Sequence, residues 1–371
     1  RDEGSGIIGT IHYRYGDTDL AAPITTPESL DINRMLDEMT GRGIRQCFLE
    51  VSSHSLVLKR VHGMNFAVGI FCNLSRDHLD FHGTMEAYKE AKKCLFRDNN
   101  VDKAVINTDD PTGREILEEF DGETLTTGID QTADVMAENC RLSETGSRFT
   151  LKTPSGCREI QTHLLGRHNI YNLISAAAAA LLQGVSLNEI ERGLRSIDRI
   201  PGRFEKVDCG QDFPVVVDYA HTDDALRNVL QAARAIISKR IITVFGCGGD
   251  RDRGKRGKMG RVALEESDFA IITSDNPRTE DPERIVKDIL EGVPSSAVRE
   301  KDYAVVANRK EAIDRAIRMA QPGDLVMIAG KGHEDYQILG TETIHFDDRE
   351  VAREIAREIA VEALERKLKG D

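Results

Sequence analysis

The chain has 371 residues, too many for one ordinary hydrophobic core and enough for two domains. Hydrophobic residues make up 40% and charged residues 30%, the balance of a folded protein rather than a disordered one. The 50 basic and 63 acidic side chains leave a net charge of −13, which excludes nucleic-acid binding by bulk electrostatics. A local cluster of Arg and Lys could still hold a small anion.

Short apolar runs alternate with helical patterns along nearly the whole length, the signature of α/β units with parallel strands. In chain order, strands are predicted at Gln46–Val51 and Ala67–Asn73. A helix follows from Thr84 to Phe96, with Met85, Tyr88, Ala91, Lys92 and Leu95 on its packing side. Next come a strand at Lys103–Asn107 and a helix opening on Pro111, a favourable first-turn residue. Between Leu125 and Leu164 short alternating pieces with Gly turns predict a small antiparallel patch. Helices are predicted at Asn169–Leu182 and Leu187–Ile197.

Ile200-Pro201-Gly202 breaks both helix and strand and marks a linker, giving domains at 1–200 and 201–371. The rhythm then restarts as in a Rossmann-like domain. Strands are predicted at Val215–Asp218, Ile241–Phe245, Phe269–Thr273 and Leu325–Ile328. The helices between and after them are Asp223–Ile237, Pro282–Glu291, Arg309–Ala320 and Asp348–Lys369. Seven cysteines with no Cys-x-x-Cys pair speak against a disulfide framework or structural zinc, and fit a reducing cytoplasm. No apolar stretch exceeds strand length, so no membrane span is expected. The opening residues show no signal peptide, and the start on Arg1 reads as a fragment or a processed chain.

Polar residues gather at predicted strand ends, where open α/β sheets place ligands. Glu50 sits within the apolar run Cys47–Val51, where a carboxylate needs an ion pair or a metal. His78 lies in the loop after the next strand; together the two could share Mg²⁺ or Mn²⁺. Lys92 reads, on its own, as a snorkelling lysine. Gly246–Arg256 is a Gly-rich turn directly after a strand. Within it Gly249 to Lys255 matches G-x-x-x-x-G-K, yet Arg256 stands where a phosphate-binding P-loop needs Ser or Thr. Its Arg and Lys side chains suit a carboxylate or phosphate instead. With Asp275-Asn276-Pro277-Arg278 and Gly330-Lys331-Gly332-His333-Glu334, it is expected to form one pocket at the rim of the sheet.

Leu49-Glu50-Val51-Ser52-Ser53-His54, Asn73–Asp80 and Asp218-Tyr219-Ala220-His221-Thr222 resemble the Mur ligase family. The blocks Gly246–Lys255, Asp275–Arg278 and Gly330–Gln337 are similar to its tripeptide-forming members, and Asp-Asn-Pro-Arg is the form those members use for meso-diaminopimelate. The resemblance implies a central ATPase-type parallel-sheet domain, its P-loop segment missing, followed by a C-terminal Rossmann-like domain. It implies ATP-dependent addition of meso-diaminopimelate to UDP-N-acetylmuramoyl-L-alanyl-D-glutamate through an acyl phosphate. Lys92 would be carbamylated and, with Glu50 and His78, would hold Mg²⁺. Thr25, Thr26, Ser52 and Arg60 would meet the nucleotide-linked dipeptide. Arg251, Asp275, Asn276, Pro277, Arg278, Gly330 and Glu334 would form the diaminopimelate pocket. His168, Asn169, Asn172, Arg203 and Asp218 would line ATP.

Two departures stand out. The family's Gly-Lys-Thr P-loop, due just before Ile7–Ile11, is not present, so weak ATP binding by this chain is expected. Leu58 replaces a Gln that often contacts substrate. A monomer acting on small molecules, with neither nucleic acid nor membrane as partner, is expected. The alternatives are a lysine-adding or folylpolyglutamate-type ligase of the same superfamily, both disfavoured by Asp275–Arg278, and a non-catalytic binding fragment.

Overall fold

The computed structural model describes residues 4–207 and 210–369, with side chains to residue 362. The chain forms two compact units. The first takes in Arg1–Ala137, Lys152–Cys157 and Tyr171–Ile190; the second takes in Glu138–Leu151, Arg158–Ile170 and Glu191–Asp371.

The first unit opens with an antiparallel meander, Ser5–Ile8, His12–Tyr15 and Thr18–Ala21. Its first strand also pairs in parallel with Gln46–Leu49. Ile8, Tyr13 and Tyr15 point to one side and are buried against Ile32, Met35 and Met39 of the helix Ser29–Gly41. That 32/35/39 spacing is the stripe a helix presents to a core. A second sheet runs Gly69–Phe71, Lys103–Asn107, Glu123–Gly128 in parallel. The strands Val135–Ser143, Gly146–Thr153 and Gly156–Thr162 follow in the chain, with 138–151 and 158–162 falling in the second unit. Two-residue connections join these last three, a spacing that only antiparallel neighbours allow.

The helix Met85–Arg97 is capped by the Thr84 hydroxyl, which accepts from the Ala87 amide at 3.1 Å. Its buried face is Tyr88, Ala91, Lys93 and Phe96, whereas Met85 is exposed. Of the positions read in the sequence, Tyr88 and Ala91 are buried and Leu95 packs against the core, whereas Lys93 rather than Lys92 is the buried lysine and Met85 is exposed. Lys93 is the buried lysine because the helix Pro111–Glu119 supplies Glu119 at 2.5 Å and Glu115 at 3.4 Å. Lys92 is left half-buried on the flank.

The second unit is built on a six-stranded sheet ordered Glu205–Val207, Val215–Asp218, Leu325–Ala329, Ile241–Phe245, Phe269–Ile272 and Tyr303–Val305. All neighbours are parallel except the first pair. Every residue of the four central strands is buried, as expected when helices cover both faces of a parallel sheet. Separate hydrophobic clusters fill the two faces. Leu226, Leu230, Met259 and Ile289 belong to one, and Ile313, Ile317, Val351 and Ile355 to the other. Because the central strands are parallel, the loops after Phe245, Ile272 and Ala329 all leave from one edge of the sheet. No helix among the described residues is long and apolar enough to cross a membrane.

Candidate functional site

Those three loops meet. The Gly249 amide donates to the Asn276 carbonyl at 2.9 Å, and the Arg278 guanidinium donates back to the Gly249 carbonyl at 2.8 Å. A Cβ at Gly249 would overlap the Pro277 carbonyl oxygen, so only glycine permits this approach. Arg278 holds φ +52, the left-handed region, while its amide donates to the Ile338 carbonyl at 3.2 Å. Such backbone persists when flanking contacts impose it.

At the centre lies Lys331, fully buried. Its ammonium reaches Asn276 Oδ1 at 3.0 Å, Asp275 Oδ1 at 3.4 Å and Glu334 Oε2 at 3.4 Å. Asn276 Nδ2 donates to Glu334 Oε2 at 2.9 Å. Gln337 Nε2 donates to the Asp275 carbonyl at 2.6 Å. Behind them Arg309, also fully buried, pairs with Asp348 at 2.7 Å and donates to the Ala329 carbonyl. Burial would raise the Asp275 carboxyl, but Lys331 and Arg309 outweigh it and hold the group below its usual range. Burial and the charge of Asp275 push Glu334 up, with Lys331 and Asn276 opposing.

The structure therefore brings Asp275, Asn276, Pro277, Arg278, Gly330 and Glu334 together in one constellation. Arg251 sits at its margin, exposed, donating to its neighbour's carbonyl at 3.0 Å. Arg256 has a different role from the one read in the basic loop. It is fully buried and holds Glu280 and Asp288, both at 2.8 Å. Sequence reading did not single out Lys331, Arg309 or Gln337; their partners lie up to 62 residues away.

In the first unit, Glu50 follows the strand Gln46–Leu49, and its Oε2 accepts from the Thr10 amide at 3.0 Å and hydroxyl at 2.7 Å. The Thr10 and Thr25 hydroxyls are 3.1 Å apart. Thr26 Oγ1 donates to the Glu50 carbonyl at 2.8 Å and accepts from the Ser52 amide at 3.0 Å. Arg60 donates to the Thr26 carbonyl at 3.1 Å and pairs with Glu28 at 2.6 Å. Thr25, Thr26, Glu50, Ser52 and Arg60 are thus one hydrogen-bonded group, to which the structure adds Thr10.

His78, at φ +55, belongs to a ring cluster. Its ring centroid lies 4.8 Å from that of His54 and 5.9 Å from that of Tyr88, on which His82 stacks at 4.9 Å. Lys92 lies over the same Tyr88 ring at 5.4 Å. Burial pushes the Lys92 ammonium down, with Cys72, Asp110, Asp77 and Glu50 opposing. Among the described residues no three His, Cys, Asp or Glu gather as a ready metal-holding group.

His168, Asn169, Arg203 and Asp218 fall in the second unit and Asn172 in the first, because the division crosses the helix Arg167–Leu182 at Tyr171. His168 Nε2 is buried and has no hydrogen-bond partner among the described residues. Burial, with Arg203 adding to it, lowers the imidazole to about 4. Asn169 is buried and donates to the Leu165 carbonyl at 2.8 Å. Arg203 lies over the Tyr219 ring at 5.3 Å. Asp218 accepts from the Phe204 amide at 2.7 Å and the Ala220 amide at 2.8 Å. Asn172 is exposed.

Residues 1–180 match the Mur ligase middle domain, and residues 202–332 match the Mur ligase glutamate ligase domain. The chain belongs to the Mur ligase family. It is 46% identical over 356 residues to the UDP-N-acetylmuramoyl-L-alanyl-D-glutamate--2,6-diaminopimelate ligase of Geobacillus kaustophilus, covering 94% of this chain and 72% of that protein. A solved structure of a ligase with that same name is 37% identical, with a TM-score of 0.67 over 96% of this chain and 73% of the other. A MurF ligase from Thermotoga maritima, solved in complex with ADP, is 16% identical and shares the fold, with a TM-score of 0.59 over 85% of this chain and 66% of the other.

Proposed function

We propose that this chain supplies the amino-acid-adding and metal-holding parts of an ATP-dependent amide ligase that joins meso-diaminopimelate to UDP-N-acetylmuramoyl-L-alanyl-D-glutamate in peptidoglycan synthesis. It acts as a cytoplasmic monomer, with a functional boundary at Ile200–Gly202 between domains 1–200 and 201–371. The observation that carries the reading is the closure of Asp275-Asn276-Pro277-Arg278 onto Gly330–Glu334, which gathers the Asp275 and Glu334 carboxylates and the Arg278 guanidinium in one cluster of loops. An amino acid with ammonium and carboxylate groups at both ends calls for that mixture. Arg278 and Arg251 clamp its carboxylates, while Glu334 and Asp275 take an ammonium.

In the first unit, Thr25, Thr26, Ser52 and Arg60 hold the nucleotide-linked dipeptide; His168, Asn169, Arg203 and Asp218 of the second unit, and Asn172 of the first, serve ATP. Glu50, His78 and Lys92 suit Mg²⁺. Glu50 offers a carboxylate, and a desolvated Lys92 has a larger neutral amine fraction, the form that takes up carbon dioxide to become a carbamate. The metal, when bound, neutralises phosphate charge. ATP transfers its terminal phosphoryl group to the D-Glu side-chain carboxylate and leaves as ADP. The diaminopimelate amine then attacks the acyl carbon, loses a proton, and phosphate departs as the amide forms. The pocket's contribution is to orient that amine, a gain in effective concentration.

Calorimetry tests the reading. The chain is expected to bind meso-diaminopimelate in preference to lysine. Arg278→Ala is expected to remove a charge-assisted bond of about 1.5–3 kcal/mol, weakening diaminopimelate roughly 10- to 150-fold and sparing lysine. An unchanged preference in the variant would refute the assignment.

A further inference from the structure

We propose that Lys331 is a positioning residue for amino-acid recognition: it fixes the orientation of the Asn276 amide and keeps two neighbouring carboxylates charged for a ligand ammonium. The inference rests on reading this pocket as the amino-acid site.

The orientation argument is one of donors and acceptors. Asn276 Oδ1 meets two donors, the Lys331 ammonium and the Ile338 amide, each at 3.0 Å. An ammonium and an amide N–H can only donate, so the oxygen must face them and Nδ2 must face Glu334. Glu334 Oε2 is thereby taken by Asn276 and Lys331. Its other oxygen accepts no hydrogen bond among the described residues and is the one open to a ligand.

The charge argument is independent. Asp275 and Glu334 raise each other's cost of ionisation, and burial adds to it for both. Lys331 is the cation within hydrogen-bond reach of both. Other charged or titratable groups face them. Arg309, paired with Asp348, stands behind. His221 acts on Asp275, and Tyr219 and Tyr336 lie beside Glu334, with Arg203 and Arg278 next to those rings. His333 precedes Glu334 in the chain. None of these replaces an ammonium in contact with both carboxylates. Without it, one of the groups opposing that rise is gone, so Glu334 is expected to hold its proton to higher pH than in the parent and to lose its attraction for an ammonium as pH falls.

Two variants separate this from a structural role. Lys331→Met matches the buried volume without the charge; Lys331→Gln keeps a donor for Asn276 without the charge. Binding of meso-diaminopimelate is measured by calorimetry between pH 6 and 8, in two buffers of different ionisation enthalpy. The parent is expected to bind with little pH dependence and no proton release from Glu334. Both variants should bind about tenfold or more weakly at pH 7, with affinity falling further as pH falls and with a proton released on binding. Weakening by the same factor at every pH, or no weakening, overturns the inference while leaving the pocket's assignment intact. If a variant fails to fold, proton linkage in the parent decides: release of a proton from Glu334 at pH 7 overturns the inference, and none supports it. No binding by the parent overturns both readings.

Discussion

Arg256 gives the sharpest contrast between a ligand-facing and a structural arginine. Replacing it with Met keeps most of the volume and removes a guanidinium held by Glu280 at 2.8 Å, Asp288 at 2.8 Å and the Gly248 carbonyl at 3.2 Å. Breaking a buried ion pair by removing one partner costs about 3–5 kcal/mol when the other charge is stranded. Here the stranding is incomplete. Glu280 keeps Arg253 at 3.0 Å and the Asp250 amide at 2.6 Å, and Asp288 is a quarter exposed and can rehydrate. The expected loss is therefore about 2–3 kcal/mol, a fall of roughly 4–12 °C in melting temperature for a unit of this size.

Scanning calorimetry, following the transition of the second unit, measures it. The pH dependence supplies a second check. The Arg256 hydrogen bond, against the opposing effect of burial, lowers Glu280 to about 2 from its ordinary 4.5. A carboxylate with a depressed folded value contributes stability above its unfolded value and loses it as pH falls toward the folded one. The gap between parent and Arg256→Met should narrow from pH 6 to pH 3. A melting temperature within a degree of the parent's, or a large loss of diaminopimelate affinity in a variant of unchanged stability, would refute the structural assignment.

Gly249→Ala would force a methyl group onto the Pro277 carbonyl, separating two of the three site loops. A loss of about 2 kcal/mol or more and a diaminopimelate affinity lowered at least tenfold are expected, both read by calorimetry. His168, lowered to about 4 by burial, binds fewer protons folded than unfolded below pH 6.5, so the parent loses stability as pH falls from 6.5 toward 4. His168→Leu should flatten that slope, by on the order of 2–3 kcal/mol over the full window. Melting curves at pH 7 and pH 5 with the same slope in both proteins would contradict the burial of a neutral imidazole.

Legibility in the sequence followed burial. Val215–Asp218 and Ile241–Phe245 have the bounds read from composition, because a strand covered on both faces is an unbroken apolar run between polar loops. The opening meander was not legible. His12–Tyr15 buries only alternate residues, and with His, Arg and Tyr in four positions it carries too short a period-2 signal. On the helix Met85–Arg97, adjacent lysines can trade places on the packing stripe. The deciding factor was Glu115 and Glu119 on another helix, which no local pattern reports. The same limit applies in the basic loop. Arg256 departs from the P-loop pattern at the end of Gly249–Lys255, but its partner Glu280 is 24 residues on and outside any local pattern. The group around Glu50 was read through its motif, whereas Thr10 is tied to Glu50 across 40 residues by two strands pairing in parallel.

The charges around Lys331 also bear on how the proposed amino-acid site can be preformed. Asp275, Glu334 and Asp348 face Lys331 and Arg309, three carboxylates against two cations in a largely buried region. Isolated charges there would be prohibitively costly, whereas a hydrogen-bonded, nearly balanced set is tolerable. The imbalance is a single negative charge, and the free Glu334 oxygen is where it is available. On the proposed reading a ligand ammonium at that oxygen would complete the balance, and Arg278 and Arg251 would meet carboxylates. A neutral side chain at the same place would leave the extra charge buried and unpaired. If the proposal holds, recognition follows from rejection as much as attraction: an amino acid lacking a distal ammonium would gain no partner for Glu334, and one lacking a distal carboxylate would gain none for Arg278.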